Sequence, residues 1–291
     1  MDARLHGRGT ERGSGPGAYH VIIITNNLRE SETQMPLQKR PRLRTSSRPA
    51  LDLPPPFRLV TLREVGDAFA HASRVAAEEG AGTLVYVGRF DLAEFAVVLE
   101  PEEPLKTARR ALYAGLTALA DALAVHAPPE RPITFDWPDG VRVNGGLVGG
   151  ARLAWPERAD ENEPPAWLVF AAMIRTVALG DEEPGLRPLS AALEEEGFDD
   201  LGSGRLVESF ARHLMVALDA WQEQGFGEIA KNYLARLAPE SGVRRDIAEN
   251  GDLLVRRVIA NAGRGEAEQR SLLRALGEPS WLDPATGGPR K

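Results

Sequence analysis

Apolar positions along the chain recur with two periods, and their alternation predicts an ordered succession of strands and helices from Phe57 onward. Phe57–Leu62 reads as a strand. Val65, Phe69, Ala72, Val75 and Ala76 return at helical spacing, which predicts an amphipathic helix over Arg63–Glu79, stopped by Gly80. Thr83–Val87 and Glu94–Leu99 are short β-rich runs on either side of Gly88-Arg89-Phe90-Asp91-Leu92, a loop that suits a hairpin. Ala108, Ala111, Leu112, Leu116, Leu119 and Leu123 form the stripe of a long helix over Pro104–Val125. Its proline sits in the first turn, where one is tolerated, and Pro128-Pro129 lies beyond its end. A β-rich block follows: Ile133–Trp137, Val141–Val143 and Leu147–Ala154. The last two are joined by Asn144-Gly145-Gly146, where Asn-Gly accepts the two positive φ angles of a tight hairpin. Trp167–Val177 is a further apolar strand.

Helices then return. Leu206, Phe210, Leu214, Leu218 and Trp221 make one stripe, and Ile229, Tyr233 and Leu237 make a second beyond the Gly225–Gly227 break; both are expected to pack on the sheet. Val243–Ile247 and Leu253–Ile259 flank Glu249-Asn250-Gly251-Asp252, a second Asn-Gly hairpin, followed by a helix over Glu266–Leu276 and a Pro/Gly-rich tail. The order β-α-β-β-α-β-β-β-β-α-α predicts an α+β fold, a mixed sheet backed by helices with a small C-terminal α/β appendix, and disfavours a doubly wound nucleotide fold. The expected division is a disordered leader over 1–50, a main domain over 51–240, and a small C-terminal domain and tail over 241–291. Pro54-Pro55-Pro56 marks the entry to the ordered part.

Composition agrees with a globular protein: 43% of the 291 residues are apolar and 26% charged. The absence of Cys removes disulfide scaffolds, thiolate zinc sites and cysteine nucleophiles together. The longest apolar run, Trp167–Ile174, is under half of the ~20 residues of a membrane helix, so no membrane is expected as a partner and a cytoplasmic location is expected. The net charge of −7 is uneven: residues 1–50 hold 9 Lys and Arg against 4 Asp and Glu, leaving 26 against 38 for the rest. An acidic body repels nucleic acid, and the basic run Lys39-Arg40-Pro41-Arg42-Leu43-Arg44 is read as solvated leader, so nucleic acid is not an expected partner. The five histidines, at 6, 20, 71, 126 and 213, form no pair at ligand spacing, and no structural metal is expected. Glu194-Glu195-Glu196 with Asp199-Asp200 reads as a solvated helix face.

One stretch carries chemistry: Ile133-Thr-Phe-Asp136-Trp137-Pro138-Asp139-Gly-Val-Arg142-Val-Asn144-Gly145-Gly146-Leu147-Val-Gly149-Gly150-Ala-Arg152-Leu153. It resembles the core of the biotin protein ligase and lipoate ligase superfamily, whose strand end reads Lys-Trp-Pro-Asn-Asp and whose hairpin reads Val-Asn-Gly-Lys-Lys-Val-Ala-Gly. Ala96-Val-Val-Leu-Glu-Pro101 looks like the segment before that family's long helix, and Leu206–Leu237 looks like the two helices that close its catalytic domain. The resemblance spans roughly residues 57–240 in order. It implies a class II synthetase-like catalytic fold and a two-step acyl transfer. ATP with Mg and a carboxylic acid such as biotin or lipoate give an acyl-adenylate, which then acylates a lysine of a biotinyl or lipoyl carrier domain. The ligand-binding residues it implies are Arg89, Asp136, Trp137, Pro138, Asp139, Asn144, Gly145, Gly149, Gly150 and Arg152, with no catalytic residue assigned. Gly149-Gly150, inside a strand, reads equally as a bulge or as a place where a ligand approaches closely.

The departures from that pattern fall on charge. Asp136 stands where the family has the lysine before Trp-Pro, Leu147 stands at the hairpin lysine, and Val87-Gly-Arg-Phe-Asp91 keeps one Gly-Arg of a Gly/Arg-rich loop. No lysine lies between Lys106 and Lys231. Arg89, Arg142, Arg152 and Arg175 are the candidates to replace the missing cations, although a guanidinium presents its charge in a plane and at a different reach. Two readings follow: an ATP-dependent ligase working with arginines, and a catalytically silent relative that binds a small acid, an adenylate or a carrier domain. A transferase using a pre-activated donor would need a catalytic Cys or Lys, and Lys106 and Lys231 fit poorly by position.

Overall fold

The computed structural model describes residues 51–179, 189–199, 201–257 and 267–291; the leader and its basic run lie outside them. The chain forms β1 (Arg58–Leu62), α1 (Ala68–Glu79), β2 (Thr83–Val87), β3 (Leu92–Leu99), α2 (Leu105–Ala108), α3 (Ala111–Ala124), β4 (Ile133–Asp136), β5 (Gly140–Val143), β6 (Gly146–Ala154), β7 (Leu168–Arg175), α4 (Ser203–Gln224), α5 (Phe226–Leu234), β8 (Val243–Ile247), β9 (Leu253–Arg257), β10 (Ala267–Arg270) and α6 (Leu272–Leu276). Strands β1 to β7 make one sheet in the order β1-β2-β3-β7-β6-β5-β4. Only β1 and β2 run parallel, so the sheet is mixed and the fold is α+β.

The sheet is covered on both faces, which is why β2 and β3 are buried at every residue instead of alternating. On the rear face Phe95, Val97, Leu99, Val143, Val148, Phe170 and Ile174 join α3, α4 and α5 in the main core. Helix α3 lies between the sheet and the outer helices and is buried almost all round, as its uniformly apolar sequence requires. Its Gly115 lets it sit directly on Phe170, whose ring a Cβ would meet at 2.2 Å. On the front face α1 covers one end of the sheet, with Ala68, Ala72 and Ala76 packed on Val85, Val87, Ala96, Val98, Val169 and Ala171. A second sheet, β10-β9-β8, docks at the rear through Leu253 and Val255 of β9, with Leu272 of α6 beside them. Tyr113 Oη donates to the Gly251 carbonyl at 2.6 Å across that contact.

The order of elements over the main sheet is the one expected, and Asn144 and Gly145 adopt the expected left-handed angles, φ 50 and φ 86. Four boundaries need correction. Helix α1 begins at Ala68, because Asp67 caps it by accepting from the Ala70 amide at 2.8 Å; Val65 is outside the helix and 97% exposed. The long helix is interrupted at Arg109-Arg110, and Pro104 is the residue before its first segment. The segment read as one helix over 266–276 is instead β10 and α6, since pairing with β9 draws Ala267–Arg270 into the small sheet. The acidic run is a series of turns in which Leu193 and Phe198 are buried; Glu194 and Glu195 are exposed, without forming a helix face.

Candidate functional site

The register of the sheet fixes what its front face offers. Glu94 of β3 pairs with Met173 of β7, and Met173 pairs with Gly150 of β6; in the next row Ala96 pairs with Ala171, and Ala171 with Arg152. Because alternate residues share a face, these two rows place small residues as a floor and two charged side chains in an otherwise apolar surface. The floor depends on a bulge. Register shifts between Val141 and Arg142, and Gly149 there has φ 156, a position where a Cβ would lie 1.8 Å from the Met173 carbonyl oxygen. The bulge resets the alternation so that Leu147, Gly150 and Arg152 face forward while Val148, Ala151 and Leu153 face the rear core.

Glu94 is only 4% exposed and accepts from the Ala68 amide at 2.9 Å, so it holds the first turn of α1 against the sheet. Burial pushes its carboxyl pKa up, partly countered by that hydrogen bond. Arg152 is half-buried with its guanidinium 3.9 Å over the Phe69 ring of α1, a cation–π seat that fixes the group. Among the described residues it has no hydrogen-bonded or ion-paired partner, and burial lowers its pKa, with the charges of Asp67 and Glu94 opposing.

The other three arginine candidates are engaged. Arg89 forms a bidentate pair with Asp91 at 3.1 and 2.6 Å. Arg142 binds Asp136 at 2.7 Å and the Gly145 and Leu189 carbonyls. Arg175 donates to the carbonyls of Ala191, Pro289 and Arg290. Asp136 is therefore ion-paired with its neighbour on β5.

Of the ten residues nominated from the sequence, the structure gathers three around one place: Gly150, Arg152 and Asp139. Asp139 is fully buried beside Gly150 and accepts from Ser280 Oγ at 3.3 Å. Burial raises its pKa to about 7. Gly149 supplies the bulge behind them. Trp137, joined to Pro138 by a cis peptide, packs against the rear core and donates from Nε1 to Tyr113 Oη at 3.1 Å. The Pro138 carbonyl accepts from Tyr233. Asn144 and Gly145 form the exposed tip of the β5–β6 hairpin. Phe69, Glu94, Met173 and Trp281 complete the surroundings and were not nominated. Glu94 carried a usable signal, a single acid within Leu92-Ala-Glu-Phe-Ala-Val-Val-Leu99, as did Trp281, a lone large aromatic in a Pro/Gly-rich tail.

The model of the biotin/lipoate A/B protein ligase family matches residues 53–235. A biotin–[acetyl-CoA-carboxylase] ligase of Paracoccus denitrificans is 29% identical over 153 residues, 49% of this chain. The match spans 59% of that relative's length. A biotin protein ligase-like protein of unknown function from Silicibacter sp. TM1040 superposes with a TM-score of 0.63 at 28% identity, covering 76% of this chain and 96% of its own. The biotin protein ligase of Aquifex aeolicus superposes with a TM-score of 0.54 at 16% identity over 73% of this chain and 99% of its own, a likeness of fold. Among the described residues no helix is long and apolar enough to cross a membrane.

Proposed function

The chain belongs to the biotin/lipoate A/B protein ligase family, and on that premise we propose that it joins a carboxylic acid of the biotinyl or lipoyl type to a carrier-protein lysine in the cytoplasm, at the expense of ATP. A carboxylate oxygen attacks the α-phosphorus of ATP, pyrophosphate leaves, and the mixed anhydride is then opened by a lysine amine with release of AMP. Residues 51–240 are the ligase-like domain in this reading, and 241–291 the appendix. The observation that carries it is Arg152: a guanidinium held in place by Phe69, with no hydrogen-bonded partner among the described residues, on a floor of Ala96, Ala171 and Gly150. Such a group suits planar, charge-assisted recognition of a carboxylate or phosphate. Of the four arginines that could replace the family's lysines, it is the one with no partner among the described residues.

The Aquifex aeolicus enzyme has been seen with biotin and ATP together, which makes those two the first ligands to try. No group of three or more His, Cys, Asp or Glu gathers among the described residues, so magnesium would come on the nucleotide phosphates, which with water supply much of its usual coordination. A second reading, binding without turnover, is favoured by the substitution of both expected lysines, by Asp136 and Leu147. Pyrophosphate release by the purified chain with ATP and biotin, lipoate or octanoate separates the two. Release with one acid supports the ligase. Calorimetric binding without release supports the silent relative, and neither binding nor release removes both.

A further inference from the structure

The face this function needs is filled by the chain itself. Beyond α6 the chain turns back across the front of the sheet, and Trp281 is 1% exposed. Its indole packs with Leu92, Leu147 and Met173 and lies on Gly150, where a Cβ would come within 2.4 Å of the ring. Its Nε1 donates to the Ala151 carbonyl at 3.0 Å. Between the indole and α1 lies a cavity of about 10 Å³, lined among the described residues by Phe69, Glu94, Arg152 and Met173, room for about one water. A small-molecule site ordinarily needs ~300 Å³ or more. Ligand and indole therefore exclude one another.

The segment is fastened lightly. Ser280 Oγ donates to Asp139, Arg175 donates to the carbonyls of Pro289 and Arg290 at 2.9 and 3.1 Å, and the Arg290 amide closes the loop on the Trp281 carbonyl at 2.8 Å. Pro284 to Gly287, between these ties, are exposed. Trp281 is the segment's aromatic anchor on the sheet, with Leu282 packed beside it.

We infer that residues 278–290 are an internal occupant of the ligand site: Trp281 sits where an incoming ring system must sit, and ligand binding lifts the segment off Gly150 and Ala151. The seat accepts a flat, largely apolar ring with one N–H donor aimed at the Ala151 carbonyl, the chemistry the indole already supplies. This inference rests on the ligase-type reading of the same face. Its test uses the full chain, with biotin and a non-hydrolysable biotinyl-adenylate analogue as probes. Hydrogen exchange is followed over 278–290, and affinity is compared between the parent and Trp281→Ala by calorimetry. The expected result is at least tenfold faster exchange of the Trp281 indole N–H, whose acceptor is the Ala151 carbonyl of the sheet, at saturation, and at least tenfold tighter binding by Trp281→Ala. If the parent binds a probe while the segment keeps its protection, the occupant idea is wrong and the ligase reading stands. If neither protein binds, the ligase reading fails and takes this one with it. Should Trp281→Ala not fold, exchange in the parent decides alone.

Discussion

Asp139→Asn offers a direct test of the electrostatics beneath the site. Asp139 is fully buried, one carboxylate oxygen accepts from Ser280, and the other, Oδ2, has no hydrogen-bond partner among the described residues. Burial is the leading reason its pKa stands at about 7 instead of the ordinary 3.8. The folded state keeps the proton to higher pH than the unfolded chain does, so between those values the native state binds more protons and stability falls as pH rises. The gap between 3.8 and about 7 corresponds to a ceiling of roughly 4 kcal/mol, fully present at low pH and lost by about pH 8. Relaxation of the site makes about 2 kcal/mol a reasonable floor. An asparagine cannot ionise, but its amide would be buried without a partner at a cost of ~1–3 kcal/mol, so the absolute stability of the variant is not diagnostic. The diagnostic quantity is the change in the variant-minus-parent difference between pH 5 and pH 8, from urea denaturation of both proteins. The part of that ceiling that falls between pH 5 and about 7 is roughly 2.7 kcal/mol, and we expect the variant to gain about 1–2.5 kcal/mol relative to the parent over that interval. Glu94, whose pKa is also raised by burial, is common to both proteins and cancels. Parallel pH profiles would refute the argument and show that Asp139 is ionised in the native state throughout.

Two further substitutions probe the floor and the cation. Gly149→Ala would set a Cβ 1.8 Å from the Met173 carbonyl oxygen at φ 156, a backbone clash that cannot relax through a rotamer; a loss of more than ~3 kcal/mol in denaturant unfolding is expected, and a loss under ~1 kcal/mol would show that the bulge rearranges. Arg152→Ala removes a desolvated charge with no hydrogen-bonded partner among the described residues. Its unfolding free energy should stay within ~1 kcal/mol of the parent, while affinity for the adenylate analogue falls at least tenfold, the equivalent of ~1.4 kcal/mol. Unchanged affinity with lowered stability would reassign Arg152 to the packing of α1.

What the sequence disclosed and what it withheld divide along a physical line. The succession of β1 to α5 was legible because each element buries a face of its own and so prints its period locally, as in the stripe Leu206, Phe210, Leu214, Leu218 and Trp221 on α4. Ala267–Arg270 prints no such period; all four residues are exposed, and only pairing with β9 makes them a strand. Val65 shows the converse error, an apolar residue in helical phase but outside the helix, because Asp67 sets the start. Gly149-Gly150 reads from sequence equally as a bulge or as a place of ligand approach, and nothing local decides between them: Gly149 makes the bulge against the β7 backbone, and Gly150 lies under an indole from 131 residues further along the chain.

The arginines make the same point for chemistry. Arg89, Arg142, Arg152 and Arg175 are equivalent as letters, and charge counting could only name all four. Folding engages Arg89 with Asp91, Arg142 with Asp136, and Arg175 with the returning tail, leaving Arg152 stacked on Phe69. Its desolvation is a cost that a bound anion would offset, so anion binding to the parent should raise thermal stability, by ~2.7 kcal/mol at a hundred times the dissociation constant. In Arg152→Ala the same anion at the same concentration should give a far smaller shift. An equal shift in both proteins would place the anion elsewhere, and with it the chemistry assigned to this face.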